Sequence, residues 1–152
     1  MEIIKGNLIE LAKQGRFDVI VHGCNCMCTM DAGIAKQIKN EFPEAYTVDL
    51  QTIPGDKTKL GTCSYGVVSI EGKELHIVNA YTQYDWKGGS VLVDYNALRS
   101  CMKLIKQKYA GRKIGIPKIG AGLAGGDWEK ISAIIAEEFK EENFTLVIKE
   151  EN

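Results

Sequence analysis

The chain has 152 residues, of which 45% are hydrophobic and 26% are charged, and its formal net charge at pH 7 is -1. This composition predicts one globular domain over residues 1–152, long enough to bury a substantial core. The chain lacks the basic excess of proteins that bind long nucleic acids, and no apolar run approaches the roughly 20 residues of a membrane span, so we expect neither direct sequence-specific nucleic-acid binding nor membrane insertion.

Apolar periodicity in the first third of the chain predicts alternating strands and helices. We expect a short strand at residues 3–4, a turn or short helix at 8–12, and a strand buried on both faces at 19–22. Apolar residues recur at helical spacing over 34–42, and the proline that follows would end this helix. Residues 44–60 are then predicted to be a polar connection with a turn signal.

The middle of the chain predicts a hairpin, a loop and a helix. Strands are expected at 61–70 and 74–80, joined by a turn at Glu71-Gly72-Lys73. An aromatic loop follows at 81–93, and an amphipathic helix at 98–109. The aromatic and lysine side chains of the loop could cover a bound ligand, or the loop could simply be solvated with local aromatic packing.

The last third predicts a strand at 113–117, a glycine-rich loop at 120–126, a helix at 131–139 and a strand at 144–148. Strands that alternate with helices, together with one hairpin, imply an α/β fold with a mixed sheet in three layers, α/β/α.

The most informative segment runs from His22 to Ala35, where a buried strand ends in a polar loop and a helix begins. An open α/β sheet binds ligands at this place, outside the carboxyl ends of its strands. Gly33 lies at the helix start, where unpaired N–H groups and the helix dipole favour an anion. The loop at 120–126 repeats the arrangement. Two such loops predict a phosphate-binding site, although either alone would be typical of an ordinary turn.

In their order and spacing, these residues resemble the macrodomain family over nearly the whole chain. That family combines a Gly-Asp start, a buried strand, an Asn-Ala-Ala-Asn turn, a glycine-rich loop before a helix, and a second phosphate loop. The matching segments here are Gly6-Asn7-Leu8, Asp18 to Val21, His22-Gly23-Cys24-Asn25, Asp31 to Ala35 and Pro117 to Leu123. The resemblance implies a three-layer α/β/α macrodomain fold with a mixed, mostly parallel central sheet.

The resemblance also implies a function. Macrodomains of this kind bind ADP-ribose or a derivative, and the stand-alone ADP-ribose 1''-phosphate phosphatases are the branch with the most similar first turn. We therefore expect a hydrolase acting at the 1'' position of the distal ribose, with a small ADP-ribose derivative as partner and no cofactor. The alternatives are an ADP-ribosyl hydrolase that acts on a modified protein, nucleic acid or O-acetyl ester, and a non-catalytic binding module.

A set of ligand-binding residues follows from the same resemblance. Asn7, which replaces the family's Asp, and the Leu8 N–H would contact adenine. Asn25 would orient the distal ribose, or alternatively form an Asx turn that closes the strand end. The backbones that would hold the diphosphate are those of Ala32, Gly33, Ile34, Ile119, Gly120, Ala121, Gly122 and Leu123.

The candidates for catalysis are His22, Asp31 and Asp127, together with Asn25. His22 could serve as acid, base or nucleophile near a phosphate, because the ordinary histidine pKa is about 6.5. The alternative is a packed histidine. Asp31 or Asp127 could position a water molecule or act as a base, and the alternative for each is a helix cap.

One macrodomain branch, which removes ADP-ribose from protein glutamates, uses a Lys nucleophile and a catalytic Asp. By the resemblance, that Lys would fall near Ala80 or Tyr81, and that Asp on Ala124. Neither side chain is present, which counts against the covalent mechanism in this chain.

The cysteines allow one further hypothesis. Cys24, Cys26 and Cys28 alternate along the chain after His22, a pattern that suggests zinc, but their spacing departs from the usual C-x₂-C pairs. We therefore expect no metal site. An odd total of five cysteines favours reduced thiols over a disulfide framework, and with a start that lacks a signal-peptide pattern it predicts a cytoplasmic protein.

Overall fold

The computed structural model of the protein describes residues 2–87, 91–122 and 124–149. Within these residues, the strands are β1 (Glu2–Lys5), β2 (Val19–Cys24), β3 (Cys63–Ile70), β4 (Lys73–Tyr81), β5 (Ile114–Ile116) and β6 (Phe144–Ile148). The helices are α1 (Leu8–Lys13), α2 (Gly33–Glu41), α3 (Pro43–Leu50), α4 (Tyr95–Tyr109) and α5 (Trp128–Glu138), with a short 3-10 turn at Lys57–Lys59.

The strands form one mixed sheet in the order β1-β6-β5-β2-β4-β3. Only β3 runs antiparallel to its neighbour, and the other neighbouring pairs are parallel. Alternate residues of β2 face opposite sides of this sheet, as a strand requires. Val19 and Val21 pack with residues of α4 and α5, whereas Ile20 packs with residues of α1 and α2. The predicted three-layer α/β/α architecture with a mostly parallel sheet is confirmed.

Residues 44–60 are not the continuous polar connection that the sequence predicts, and this prediction is wrong over its first half. Pro43 does not merely end α2, because it also occupies the first turn of α3, where its fixed φ suits a helix start. Ala45 packs so closely on β3 that a Cβ added to Gly66 would lie 2.9 Å from the Ala45 Cα. Asp49 is buried in the same helix, which breaks the apolar periodicity that normally reveals an amphipathic helix.

The predicted hairpin is confirmed. Ile70 pairs with Lys73, which leaves Glu71 and Gly72 as a two-residue turn between β3 and β4. Their φ angles are 50° and 80°, so both residues are left-handed, as in the turns whose twist matches that of paired strands.

His22 lies on the sheet face that also carries α3, and it is fully buried. Its Nε2 atom is 2.6 Å from the Asn79 Oδ1 atom. Asn79 Nδ2 donates to the Ala45 carbonyl at 2.9 Å and to Ser64 Oγ at 3.0 Å, so Oδ1 is the acceptor and His22 Nε2 carries the proton in this network. Burial lowers the pKa of His22 to about 4, although the bond to Asn79 opposes the shift. The imidazole is therefore neutral at pH 7.

This burial predicts an acid-dependent loss of stability. Because the pKa of His22 falls from 6.5 to about 4 on folding, the unfolded chain takes up a proton below pH 6.5 that the folded chain takes up only near pH 4. The free energy of unfolding should be unaffected by this group above pH 6.5. Acidification to about pH 4.5 should lower it by roughly 2 to 3 kcal/mol.

Urea denaturation of the wild type and of His22→Gln at pH 7 and pH 4.5 would measure this effect. The wild type should lose more stability than the variant between the two pH values, since glutamine does not titrate. An equal loss in both proteins would contradict a depressed His22 pKa.

Candidate functional site

A cavity of about 590 Å³ opens at the carboxyl ends of β2, β4 and β5. Residues from three parts of the chain line it: the segment 23–35, then Gln83, Trp86 and Leu92, and then the segment 117–122 with Ala124. Its volume is within the range of roughly 300–1,000 Å³ that is common for small-molecule sites. The cavity lies where the sequence places the ligand site, because parallel strands bring their carboxyl ends to one edge of the sheet.

The first predicted phosphate loop, Asp31 to Ala35, meets the cavity at the start of α2. Ala32 is the N-cap residue and makes no side-chain cap bond, and Gly33 begins the helix with a φ of 59°. The first intrahelical bond runs from the Lys36 N–H to the Ala32 carbonyl. Ala32, Gly33 and Ile34 all line the cavity. The backbone N–H groups of this first turn can therefore donate to an anionic ligand, with the helix dipole in favour of it.

The second predicted phosphate loop, whose described residues include Pro117 to Gly122, is held in a tight turn. Gly120 has a φ of 76°, and a Cβ added to it would lie 3.0 Å from Val93 Cγ2. The Gly126 N–H donates to the Gly120 carbonyl at 2.8 Å, which closes the loop onto itself. The backbone angle thus favours glycine at position 120, and any side chain there would also crowd Val93. Ile119, Gly120 and Gly122 line the cavity, whereas Ala121 does not, and Leu123 lies outside the described residues.

Asn25 lines the cavity and also fixes the shape of its wall. Its Oδ1 atom accepts from the Met27 N–H at 2.8 Å, and its Nδ2 atom donates to Thr29 Oγ1 at 2.8 Å. The side chain forms the Asx turn that was the alternative interpretation. The same residue therefore combines a structural role with a position beside the ligand space.

Charged groups are few around this cavity. Among the described residues that line it, Asp31 is the one carboxylate and Lys118 the one cation. An Asp31 oxygen is 3.6 Å from Lys39 Nζ, and the Asp31 side chain is 72% exposed. Lys118 Nζ lies 5.4 Å from the centre of the Trp128 ring. Ala32, not Asp31, is the N-cap residue of α2, so the capping alternative for Asp31 is not seen, and its catalytic role stays a prediction.

Four other predicted site residues are not among those that line the cavity. Asn7 accepts from the Glu10 N–H and caps α1, and Leu8 is buried in the core. Asp127 is exposed and accepts from the Glu129 N–H at 3.0 Å, so it caps α5. The buried His22 is also outside the lining. The ligand-binding or catalytic roles of these four residues stay predictions. In the structure, Asn7 and Asp127 cap helices, and Leu8 and His22 are buried.

The sequence did not single out several residues that line the cavity, among them Thr29, Gln83, Leu92 and Lys118. Leu92 reaches the second phosphate loop through its N–H, which donates to the Ala124 carbonyl at 2.7 Å. The next residue, Val93, forms an isolated antiparallel bridge with Gln83. Pairing between such distant residues leaves no periodic signal. Trp86 is one of the aromatic residues that could cover a bound ligand. It lines the cavity and is 53% exposed.

The described part of the chain contains no group of three His, Cys, Asp or Glu residues that could bind one zinc ion. Cys24, Cys26 and Cys28 are buried thiols without disulfide partners. None of the helices in the described ranges has the length and apolar character needed to cross a membrane.

Sequence comparison finds relatives of about the same length as this chain and relatives that are much longer. An uncharacterized 17.5 kDa protein from the tk-vs intergenic region of Enterobacteria phage T4 is 36% identical over 140 residues, covering 89% of this chain and 87% of that protein. The bovine ADP-ribose glycohydrolase OARD1 is 27% identical over 148 residues, with coverages of 95% and 88%. The DNA ADP-ribosyl glycohydrolase of Mycobacterium tuberculosis is 25% identical over 126 residues, covering 82% of this chain but only 35% of that protein.

The fold and the family are also matched directly. The macrodomain of Thermus aquaticus DarG superposes with a TM-score of 0.75 at 20% identity, covering 99% of this chain and 97% of that one. The family model described as Macro domain matches residues 21–135, a range that includes the cavity and both phosphate loops. The chain belongs to the macrodomain family.

Proposed function

We propose that this protein binds ADP-ribose derivatives in the cavity and hydrolyses the bond at C1'' of the distal ribose, with release of ADP-ribose. The observation that carries the proposal is the pairing of two glycine loops around one cavity, each held in a left-handed backbone conformation, at Gly33 and Gly120. Two relatives named ADP-ribose glycohydrolase and DNA ADP-ribosyl glycohydrolase support the choice of ligand and reaction.

The diphosphate is the part of the ligand that these loops suit. The first-turn amides of α2 donate to one phosphate, and the backbone of the second loop approaches the other because Gly120 and Gly122 have no Cβ. Lys118 adds a positive charge on the same wall. The distal ribose then lies toward Asn25 and Asp31. In this proposal, the Asn7 side chain and the Leu8 N–H contact the adenine.

Water attack is the chemistry that suits these residues. The bond from C1'' to the leaving group breaks with its electrons on the leaving oxygen, water adds to C1'', and Asp31 takes the proton that the water loses. No lysine is available at Ala80 or Tyr81 to form a covalent intermediate, and both positions are buried. His22 is neutral and lies outside the lining, so this route does not use it.

A second candidate function is the phosphatase reaction on ADP-ribose 1''-phosphate. The exposed Lys118 on the cavity wall favours it, because a lysine binds a terminal phosphate as a point charge. The turn from His22 to Cys26 resembles that of the phosphatase branch. Both reactions convert this substrate to ADP-ribose and phosphate, but the phosphatase breaks the P–O bond, whereas the glycohydrolase breaks the bond at C1''.

Calorimetric titration should give micromolar binding of ADP-ribose, near -8 kcal/mol, and much weaker binding of AMP, which lacks the diphosphate and the distal ribose. Gly120→Val should weaken ADP-ribose binding at least about tenfold, because its side chain would collide with Val93 and strain the loop. Gly72→Val is the matched control, since Gly72 has a φ of 80° and nothing within 4 Å of an added Cβ. Equal affinities of the two variants would contradict a ligand at the second loop.

Hydrolysis of ADP-ribose 1''-phosphate in ¹⁸O-labelled water would identify the bond that breaks. Label in the released phosphate indicates the phosphatase, and unlabelled phosphate indicates cleavage at C1''. ADP-ribosylated protein and DNA, assayed for free ADP-ribose, test the glycohydrolase on macromolecular substrates. Tight ADP-ribose binding with no turnover of any of these substrates would reduce the function to a binding module.

Asp31→Asn should lower kcat by about 10²-fold or more, because a general base typically contributes that much, while the Kd for ADP-ribose changes little. Asp94→Asn is the control, since Asp94 caps α4 by accepting from the Ala97 N–H and is not among the residues that line the cavity. A fully active Asp31→Asn variant would instead assign the base to the substrate's own diphosphate.

A further inference from the structure

Lys59 is the most deeply buried cation in the described part of the chain, with only 7% of its surface exposed. It lies beneath residues 25–31, which we call the site loop because Asn25, Thr29 and Asp31 line the cavity. Lys59 Nζ donates to the Cys26 carbonyl at 2.9 Å and lies 3.5 Å from Cys28 Sγ. The ammonium therefore joins two points of the site loop from its buried side.

No ordinary ion pair explains this burial. Among the described residues, no carboxylate oxygen lies within 4.0 Å of Lys59 Nζ, and Asp49 and Asp56 interact with its charge only over a longer distance. The ammonium instead faces the Tyr81 ring, with 4.8 Å to its centre, and Tyr81 OH donates to Asp49 Oδ1 at 2.7 Å. Removing a cation from water without a direct ion-pair partner is costly, and an apolar side chain of similar length would avoid that cost. The contacts of the ammonium with the site loop are the gain that offsets it.

The site loop needs such support because its backbone is strained. Cys28 has a φ of 58°. Residues other than glycine rarely adopt this left-handed backbone conformation. Its thiol donates to the Asp49 carbonyl at 3.2 Å, and the Gly55 N–H donates to the Cys26 carbonyl at 2.8 Å. Strained residues persist where their surroundings over-determine them. Lys59 is the one charged side chain in this set of contacts.

We infer that Lys59 is a positioning residue for the cavity: its buried ammonium holds the site loop in the shape that presents Asn25 and Asp31 to the ligand. Lys59 does not line the cavity and touches no substrate, so it acts only through the loop. The inference rests on the proposed function for its ligand, ADP-ribose. Loss of the ammonium should weaken ligand binding and turnover while leaving the sheet and its helices folded.

The test is calorimetric titration of Lys59→Ala with ADP-ribose, with and without an excess of propylammonium chloride. We expect a Kd increase of about tenfold, which propylammonium partly reverses by placing an ammonium in the vacated space, whereas an equal concentration of 1-propanol does not. Lys108→Met is the matched control, because Lys108 Nζ also faces a tyrosine ring, at 4.7 Å from the centre of Tyr65, but is far along the chain from the site loop. Its Kd should be unchanged.

A Kd for Lys59→Ala that equals the wild-type value would overturn the inference. Equal rescue by 1-propanol would do so as well, since it would mean that the side chain merely fills space. If Lys59→Ala fails to fold, Lys59→Met keeps the stem, removes the charge and should show the same weakened binding.

A second measurement separates this inference from the proposed function. The Met27 N–H donates to Asn25 Oδ1 inside the site loop, so its hydrogen exchange reports the loop without any ligand. Exchange at Met27 should accelerate in Lys59→Met and not in Lys108→Met. If the wild type binds no ADP-ribose, the proposed function is wrong. If the hydrogen exchange of Met27 is unchanged in Lys59→Met, the positioning role of Lys59 is wrong, whatever the ligand.

Discussion

The parallel pairing of β2 with both β4 and β5 is the constraint on which the site depends. Val19 pairs with His76 on one side and with Ile114 on the other, so three strands end at the same edge of the sheet. Each of their carboxyl ends continues into a loop that must leave the sheet there. The cavity is the space between these loops, and its chemistry is set by which residues directly follow each strand.

Beneath the cavity lies a connected layer of buried polar groups. His22 contacts Asn79, Asn79 donates to Ser64, and the Ser64 and Tyr81 hydroxyls are 2.8 Å apart, with Asp49 accepting from Tyr81. Burial raises the pKa of Asp49, and the hydrogen bond from Tyr81 opposes that shift. Each bond joins different elements, β2 to β4, β4 to β3, and β4 to α3. A buried polar network of this kind favours one arrangement of its elements, because a shift of β2, β3 or α3 relative to β4 would break these bonds in a buried place.

Much of the fold was readable from the sequence, because strand and helix periodicities and glycine-rich turns are local signals. The position of the cavity was readable in the same way, since the loops that contain Gly33 and Gly120 follow predicted strands and line it. Helix α3 was missed because its buried face includes Asp49, so apolar spacing does not mark it. The orientation of His22 could not be predicted either. A strand that is buried on both faces is apolar throughout, so its sequence does not show on which side of the sheet each side chain lies.

The hairpin turn at Glu71 and Gly72 has a practical consequence. It joins β3 to the amino end of β4, whereas the cavity adjoins the carboxyl end of that strand, and nine strand residues span about 30 Å. Both turn residues are exposed. A biotin or fluorophore attached there would therefore leave the cavity open, so the turn is a suitable point for immobilising or labelling this domain.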